Sequence, residues 1–331
     1  MEQPEQAEIR GWAFPAALLA VVALHLGMLA YFAPPREVLS KEPVLTIDYA
    51  LHVYQVDRAL GAFRQAGALW AWDPLLLAGQ PAGVTEDLTS KGTELFVIGA
   101  SALGIHPGFA FNLFILLVLM AVPAAGWASG RLFGLDRWAC LGVMLLWVLL
   151  WFFDSFLHWS WWIGMISWSF VCYASVLFVG MLYRGLERRS LGWLGALVPF
   201  AFVLTLVHPF AALTVAVPCL ALYVRAFKEL SLEHHALVVL IAIGGASSVL
   251  VWIGPFLRFQ HYVGDADTFF NATLSFFVYD SFDLLKDGRQ TGGPLRALVR
   301  TLCFAGAGFC LWRWKKAGDR RCARRPSPPF W

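Results

Sequence analysis

Apolar residues fall into long runs separated by short polar breaks, near residues 12–33, 108–130, 136–153, 162–183, 191–207, 209–225, 236–257 and 295–313. A run of about 20 apolar residues is the signature of a helix that crosses a bilayer. The pattern therefore predicts an all-α polytopic transmembrane helix bundle of about eight spans. Residues 93–105 form a further apolar stretch of only about 13 residues, ended by His106-Pro107. That length suits an interfacial or re-entrant helix better than a span. Two polar segments are long, 34–94 and 258–294, and loops of that length are uncommon without a role. Residues 1–314 thus read as a single transmembrane domain. Residues 315–331, basic and Pro-rich, read as a disordered tail.

The first long loop has internal pattern. Leu51, Val53, Val56, Leu60 and Phe63 recur at helical spacing, which predicts an amphipathic helix over 48–66 lying on the membrane surface. Trp70 and Trp72 follow, then Asp73-Pro74 and Gly79-Gln80-Pro81. Paired tryptophans suit the membrane interface and Asp-Pro opens a turn, so this stretch reads as an anchored loop beside the helix.

Composition narrows the class. With 14% charged residues, 59% hydrophobic residues and 16 Trp, the chain needs lipid over most of its surface. Its net charge of +3 is too small to point to a nucleic-acid partner. Charge placement says more. If 93–105 does not cross and the N-terminus is cytoplasmic, Arg131/Arg137, Arg184/Arg188/Arg189, Arg225/Lys228 and the basic tail all face inward. That is the positive-inside pattern, with both termini cytoplasmic and the long loops outside, in an inner or plasma membrane. Residues 12–33 exceed the 7–15 residues of a signal-peptide core, and Pro34-Pro35-Arg36-Glu37 offers no small-x-small cleavage site, so the run is a retained span. The six cysteines stand singly, without metal or redox spacing.

Candidate chemistry gathers on the outer side. Asp48 and His52, four apart, share one helix face. Such a couple can hold a divalent cation or form a base with its orienting partner, or Asp48 can simply cap the helix. Asp154 and His158 repeat the spacing in the next outside turn, followed by Trp159, Trp161 and Trp162. Converging, the two couples make a metal set of Asp48, His52, Asp154 and His158, for a cation such as Mg or Mn. His208, in Val207-His208-Pro209, sits at a span end, either functional or in contact with headgroups. Glu86 and Asp87 lie before the short apolar helix. Asp265 and Asp267 read as a solvated turn, Asn271-Ala272-Thr273 as a glycosylation acceptor, and His234-His235 as a polar inside loop.

A first span, a long outside loop opening with Asp48 on an amphipathic helix, then Trp72-Asp73-Pro74, Gly79-Gln80-Pro81 and a short apolar helix resembles the GT-C fold. That fold belongs to polytopic glycosyltransferases that take sugar from a polyprenyl-phosphate carrier. The nearest likeness is to the uncharacterised bacterial 6-pyruvoyl-tetrahydropterin synthase-related integral membrane proteins, in which Asp-x-x-x-His followed by Trp-x-Pro and Gly-x-Pro recurs. The likeness covers residues 1 to about 260. It implies a catalytic role for Asp48, His52 and Asp154, substrate contacts from His208, Trp72 and Asp73, and partners that are lipid-linked sugar donors and membrane lipids. Members of that family run longer, with more spans, and carry a Tyr- and Pro-rich run where this chain has Glu86-Asp87-Leu88-Thr89-Ser90-Lys91. Two other classes fit the same outline: a non-catalytic membrane subunit, and a lipid flippase or transporter. Coupled transport calls for ionisable residues deep in the spans, and His25 is the clearest one in the runs.

Overall fold

The computed structural model describes residues 4–75, 79–83 and 91–262, and scattered positions between 298 and 312. Its described elements are, in order, α1 (Pro4–Phe32), α2 (Pro35–Val38), α3 (Asp48–Ala66), β1 (Ala71–Asp73), β2 (Gln80–Ala82), α4 (Lys91–Ala102), α5 (Pro107–Met120), α6 (Val122–Leu132), α7 (Arg137–Phe153), α8 (Ser155–Ile163), α9 (Ile166–Glu187), α10 (Leu191–Val207), α11 (Ala211–Ala226), α12 (Leu232–Ser247) and α13 (Ile253–Phe259), with short 3-10 turns after α11, α12 and α13. The eighth run, Glu86, Asp87, Asp265, Asp267, Asn271-Ala272-Thr273 and the basic tail lie wholly or mostly outside the described residues.

The chain is a multi-pass membrane protein of helical class. Four described helices are long and apolar enough to cross a membrane, or up to six if each of two bent pairs is one span. Of the other runs, that at 295–313 lies mostly outside the described residues, and three do not form a single long helix, for local reasons. The run at 108–130 is broken at Ala121 and bent by 42° between α5 and α6. Pro123 in the first turn of α6 lacks the N–H that would continue the helix. His25 of α1, 1% exposed, is buried near the Leu119 backbone at this break. The run at 136–153 continues into α8 across a 56° bend at Asp154. The run at 191–207 forms a helix of 17 residues, about 25 Å long at the usual rise, short of a 30 Å hydrocarbon core.

The chain divides into two compact units, one of residues 1–148 and 159–265, the other of 149–158 and 266–331. In the first, α10 packs on α12 and α9, α9 on α11 and α6, and α4 on α5, α3 and α10. Close approach is set by small residues. A Cβ on Gly244 of α12 would lie 2.7 Å from the Val198 carbonyl oxygen of α10, and Thr205 Oγ1 donates across the same seam to the Gly245 carbonyl at 2.9 Å. The start of the first long loop is tied down by Asn112, a lone polar residue inside the apolar α5. Fully buried, it accepts from the Val44 N–H at 3.0 Å and donates to the carbonyls of Ser40 and Glu42 at 3.2 and 2.8 Å. In the second unit the described residues of 149–158 carry the end of α7 and the start of α8.

Two sequence expectations shift. His234 and His235 lie in the first turn of α12 rather than in a loop; His234 Nδ1 is 2.6 Å from the Ser231 hydroxyl. The stretch after α3, expected as a plain anchored loop, closes as a short antiparallel hairpin with Trp72 opposite Pro81 and Asp73 opposite Gln80.

Candidate functional site

The site is built on α3. Its first residue is Asp48, and the residue before it, Ile47, has φ 49° and gives no side-chain cap. Asp48 therefore sits within the first turn, partly exposed, with its carboxylate unused as a cap. The backbone there is clasped by Gly164, between α8 and α9. A Cβ on Gly164 would come within 2.5 Å of the Tyr49 nitrogen and 3.0 Å of Asp48 Cβ, and its φ of +118° favours glycine in any case. Beside it the buried Tyr49 hydroxyl donates to the Trp161 carbonyl at 2.6 Å, and burial pushes its phenol pKa up.

One turn on, His52 Nδ1 is 2.8 Å from Oε1 of Gln55, itself only 5% exposed. A carboxamide oxygen has lone pairs and no proton, so the imidazole donates from Nδ1. His52 thus takes its orienting partner from position i+3, whereas the sequence had offered Asp48 at i−4 for that role. The predicted helix face is right; the partner along it is different.

The same site receives His208 from the end of α10. The residue is 5% exposed, stacks edge-on to Trp168 with ring centres 5.3 Å apart, and lies 5.5 Å from the Phe210 ring. Its Nδ1 accepts the Phe210 N–H at 3.3 Å. Burial lowers the His208 imidazole to about 4, and the charge of His52 nearby adds to the fall. The two histidines, both singled out from the sequence, lie 156 positions apart in it. The Trp168 indole N–H is buried beside them without a hydrogen-bond partner among the described residues.

Below lies the start of α4. Lys91 and Glu94, 1% and 0% exposed, pair at 3.0 Å, and Thr93 Oγ1 meets Ser167 Oγ at 3.2 Å. A Cβ on Gly92 would fall 2.5 Å from the Val207 side chain, so this turn abuts the residues just before both His208 and Trp168. Lys91 is paired with Glu94 here.

Trp72 and Asp73 occupy the hairpin. Asp73, 3% exposed, is joined to Arg58 at 2.9 Å, accepts the Leu75 N–H at 2.9 Å, and is bonded by the Tyr54 hydroxyl. Burial and the Asp73 carboxylate raise the Tyr54 phenol to about 12. Asp73 thereby fastens the hairpin to α3. Trp72 is half-exposed, its ring stacked over Gly79.

Asp154 and His158 fall in the second unit. Asp154, 8% exposed, precedes α8 and accepts the Leu157 N–H at 3.0 Å, the geometry of a helix cap. Among the described residues no three His, Cys, Asp or Glu side chains gather closely enough to hold a metal ion. The four-residue set expected from the sequence draws two members, Asp48 and His52, from α3 of the first unit and two, Asp154 and His158, from the second.

Next to this polar end runs a cavity of about 450 Å³ between α9, α10, α11 and α12. It begins at Pro209, one residue beyond His208, and reaches Tyr223, with Phe178, Thr205, Ala216 and Gly245 among its walls. Along α11 that is about 21 Å at 1.5 Å per residue. Alanines and glycines on the facing helices leave the space open. No protein-family model, curated protein or solved structure matches this chain.

Proposed function

We propose that this chain is a membrane glycosyltransferase of GT-C type that draws sugar from a polyprenyl-phosphate carrier at the outer membrane face. One observation carries the reading: an apolar cavity running within the membrane helices starts beside His208, which is coupled to His52 on the Asp48 helix. An isoprenoid tail needs such a cavity, and the sugar-phosphate head then lies among Asp48, His52, His208 and Trp72. A carboxylate or imidazole there can take the proton of an acceptor hydroxyl as the sugar is transferred.

The test uses the purified protein in nanodiscs with a radiolabelled polyprenyl-phosphate hexose. Wild type is expected to consume the donor and release polyprenyl phosphate. Asp48→Asn should lower the rate about 100-fold or more at unchanged thermal stability, while Ala216→Trp should block donor binding by filling the cavity. A wild-type protein that binds the lipid yet leaves the sugar on it across a panel of acceptors would make the chain a lipid carrier or flippase. For that reading the cavity alone suffices.

A further inference from the structure

We infer that a pocket between the end of α1, the loop ahead of α3 and the end of α8 binds a quaternary ammonium group of the choline class. The inference goes beyond the transferase reading and does not depend on it. The pocket has a volume of about 80 Å³ and is walled by Phe32, Tyr49, Trp161 and Trp162, with aliphatic side chains between them and Glu37 beside them. All of these residues lie in the first compact unit. One water needs about 10–15 Å³ of such space, so the pocket takes a group of several heavy atoms. The walls say which group. The rings of Phe32 and Trp161 stand at 81° with centres 6.0 Å apart, and those of Trp161 and Trp162 at 78° and 6.2 Å. Two near-right angles in succession make a corner rather than a platform. A sugar ring stacks on a platform, whereas a compact tetrahedral group fits a corner.

The electrostatics select a cation. Aromatic faces carry negative potential and attract positive charge. Among the described lining residues Glu37 is the one carboxylate, and there is no Lys, Arg or His. Arg36 Nε comes only to 3.9 Å from Glu37 Oε1, with both side chains exposed, a contact worth little in water. A primary ammonium brings three N–H donors that each want an acceptor, but beyond Glu37 the lining is mostly carbon. A trimethylammonium asks for none. The site is also built in. Tyr49 and Trp161, 4% and 3% exposed, are tied together by the Tyr49 hydroxyl, which donates to the Trp161 carbonyl at 2.6 Å. The turn that carries Glu37 is fixed by the fully buried Asn112, which donates to the Glu37 carbonyl at 3.3 Å. Phe32 is the last residue of α1, where the first apolar run ends, so the pocket lies at the depth of lipid headgroups. A choline group can reach it from a lipid or from a soluble compound.

The experiment uses the full chain in nanodiscs of phosphatidylglycerol, a lipid without an ammonium group. Radiolabelled choline is titrated by equilibrium dialysis, with its neutral tert-butyl isostere, in which carbon replaces nitrogen, as competitor. Choline should bind saturably, and the isostere should compete at least about 10-fold more weakly. Trp162→Leu should weaken choline about 5-fold or more, and Glu37→Gln about 2- to 5-fold, at unchanged melting temperature. Both side chains are partly exposed, so neither change opens the core. Repeating the titration in phosphatidylcholine nanodiscs identifies the source. Loss of free-choline binding there assigns the pocket to a lipid headgroup, and undiminished binding assigns it to a soluble compound. The proposal is overturned by an absence of saturable choline binding in phosphatidylglycerol, by an isostere that competes as well as choline, or by a Trp162→Leu variant that binds like wild type.

Discussion

Asp48-His52 and Asp154-His158 share one spacing and are put to different uses. In the second couple the carboxylate is 8% exposed and accepts the Leu157 N–H at the start of α8, so it organises a bend between two helices. In the first, the helix begins at Asp48 without any side-chain cap, which leaves the carboxylate on the helix face, and His52 is held by Gln55. Four-residue spacing places two side chains on one face; whether the acid caps the helix or stays on its face depends on where the helix starts. A shift of one residue in that start, from after Asp154 to at Asp48, separates the two roles.

The largest expected effect comes from what lies under the first couple. Lys91 and Glu94 are paired at 3.0 Å with almost no exposure. Removing one partner of a buried ion pair costs about 3–5 kcal/mol. Lys91→Met should accordingly unfold at markedly lower temperature and lose the site, whereas Lys91→Met with Glu94→Leu should recover most of the stability. If the single variant melts like wild type, the first couple does not stand on a charged foundation. A smaller effect separates the couples by pH. His208 stays neutral down to about 4, held there by burial and then by His52, while an unfolded histidine titrates near 6.5. Below pH 6.5 the unfolded chain binds a proton that the folded one refuses, so stability falls as pH drops toward 4 and is unaffected above 6.5. At 1.36 kcal/mol per unit the ceiling is about 3 kcal/mol. Thermal melts of wild type and His208→Gln between pH 7 and 4.5 measure it: wild type should fall more steeply. Parallel curves would mean that His208 is not held neutral.

Much of the frame was legible in the sequence because it rests on local apolar runs. The runs at 12–33, 162–183, 209–225 and 236–257 correspond to spanning helices, and the surface helix set at 48–66 by its apolar spacing is α3, Asp48–Ala66. The short helix expected at 93–105 starts two residues earlier, at Lys91, since its first turn buries two charges that a hydropathy reading places outside. The breaks at Ala121 and Asp154 were harder to see. A proline or a capping acid within an apolar run weighs little in a window of twenty residues, though each redirects the helix. The site was half legible. His52 was marked on a surface helix and His208 at a span end, but what places the end of α10 against α4 is tertiary. Gln55 carried a signal that went unused: it lies three positions after His52 on the same face. Asn112 and Trp168 sit inside apolar runs and reveal their roles only through what they touch.

The smallest effect bears most directly on the comparison. If Asp154 is a cap, its worth in that role is the hydrogen bond from the Leu157 N–H at 3.0 Å. Loss of a cap costs about 1 kcal/mol, and asparagine caps nearly as well as aspartate. Asp154→Ala should therefore lower the melting temperature by a few degrees, while Asp154→Asn should leave it within error, and donor turnover corrected for folded protein should drop no more than severalfold in either. Asp48 should show the opposite pattern, with Asn abolishing turnover at an unchanged melting temperature. The charge-neutral, shape-preserving Asn substitution thus discriminates between the couples, since it spares a hydrogen-bond acceptor and removes a negative charge. Should Asp154→Asn abolish turnover as Asp48→Asn does, Asp154 acts through its charge, and the contrast drawn between the two couples fails at its second member.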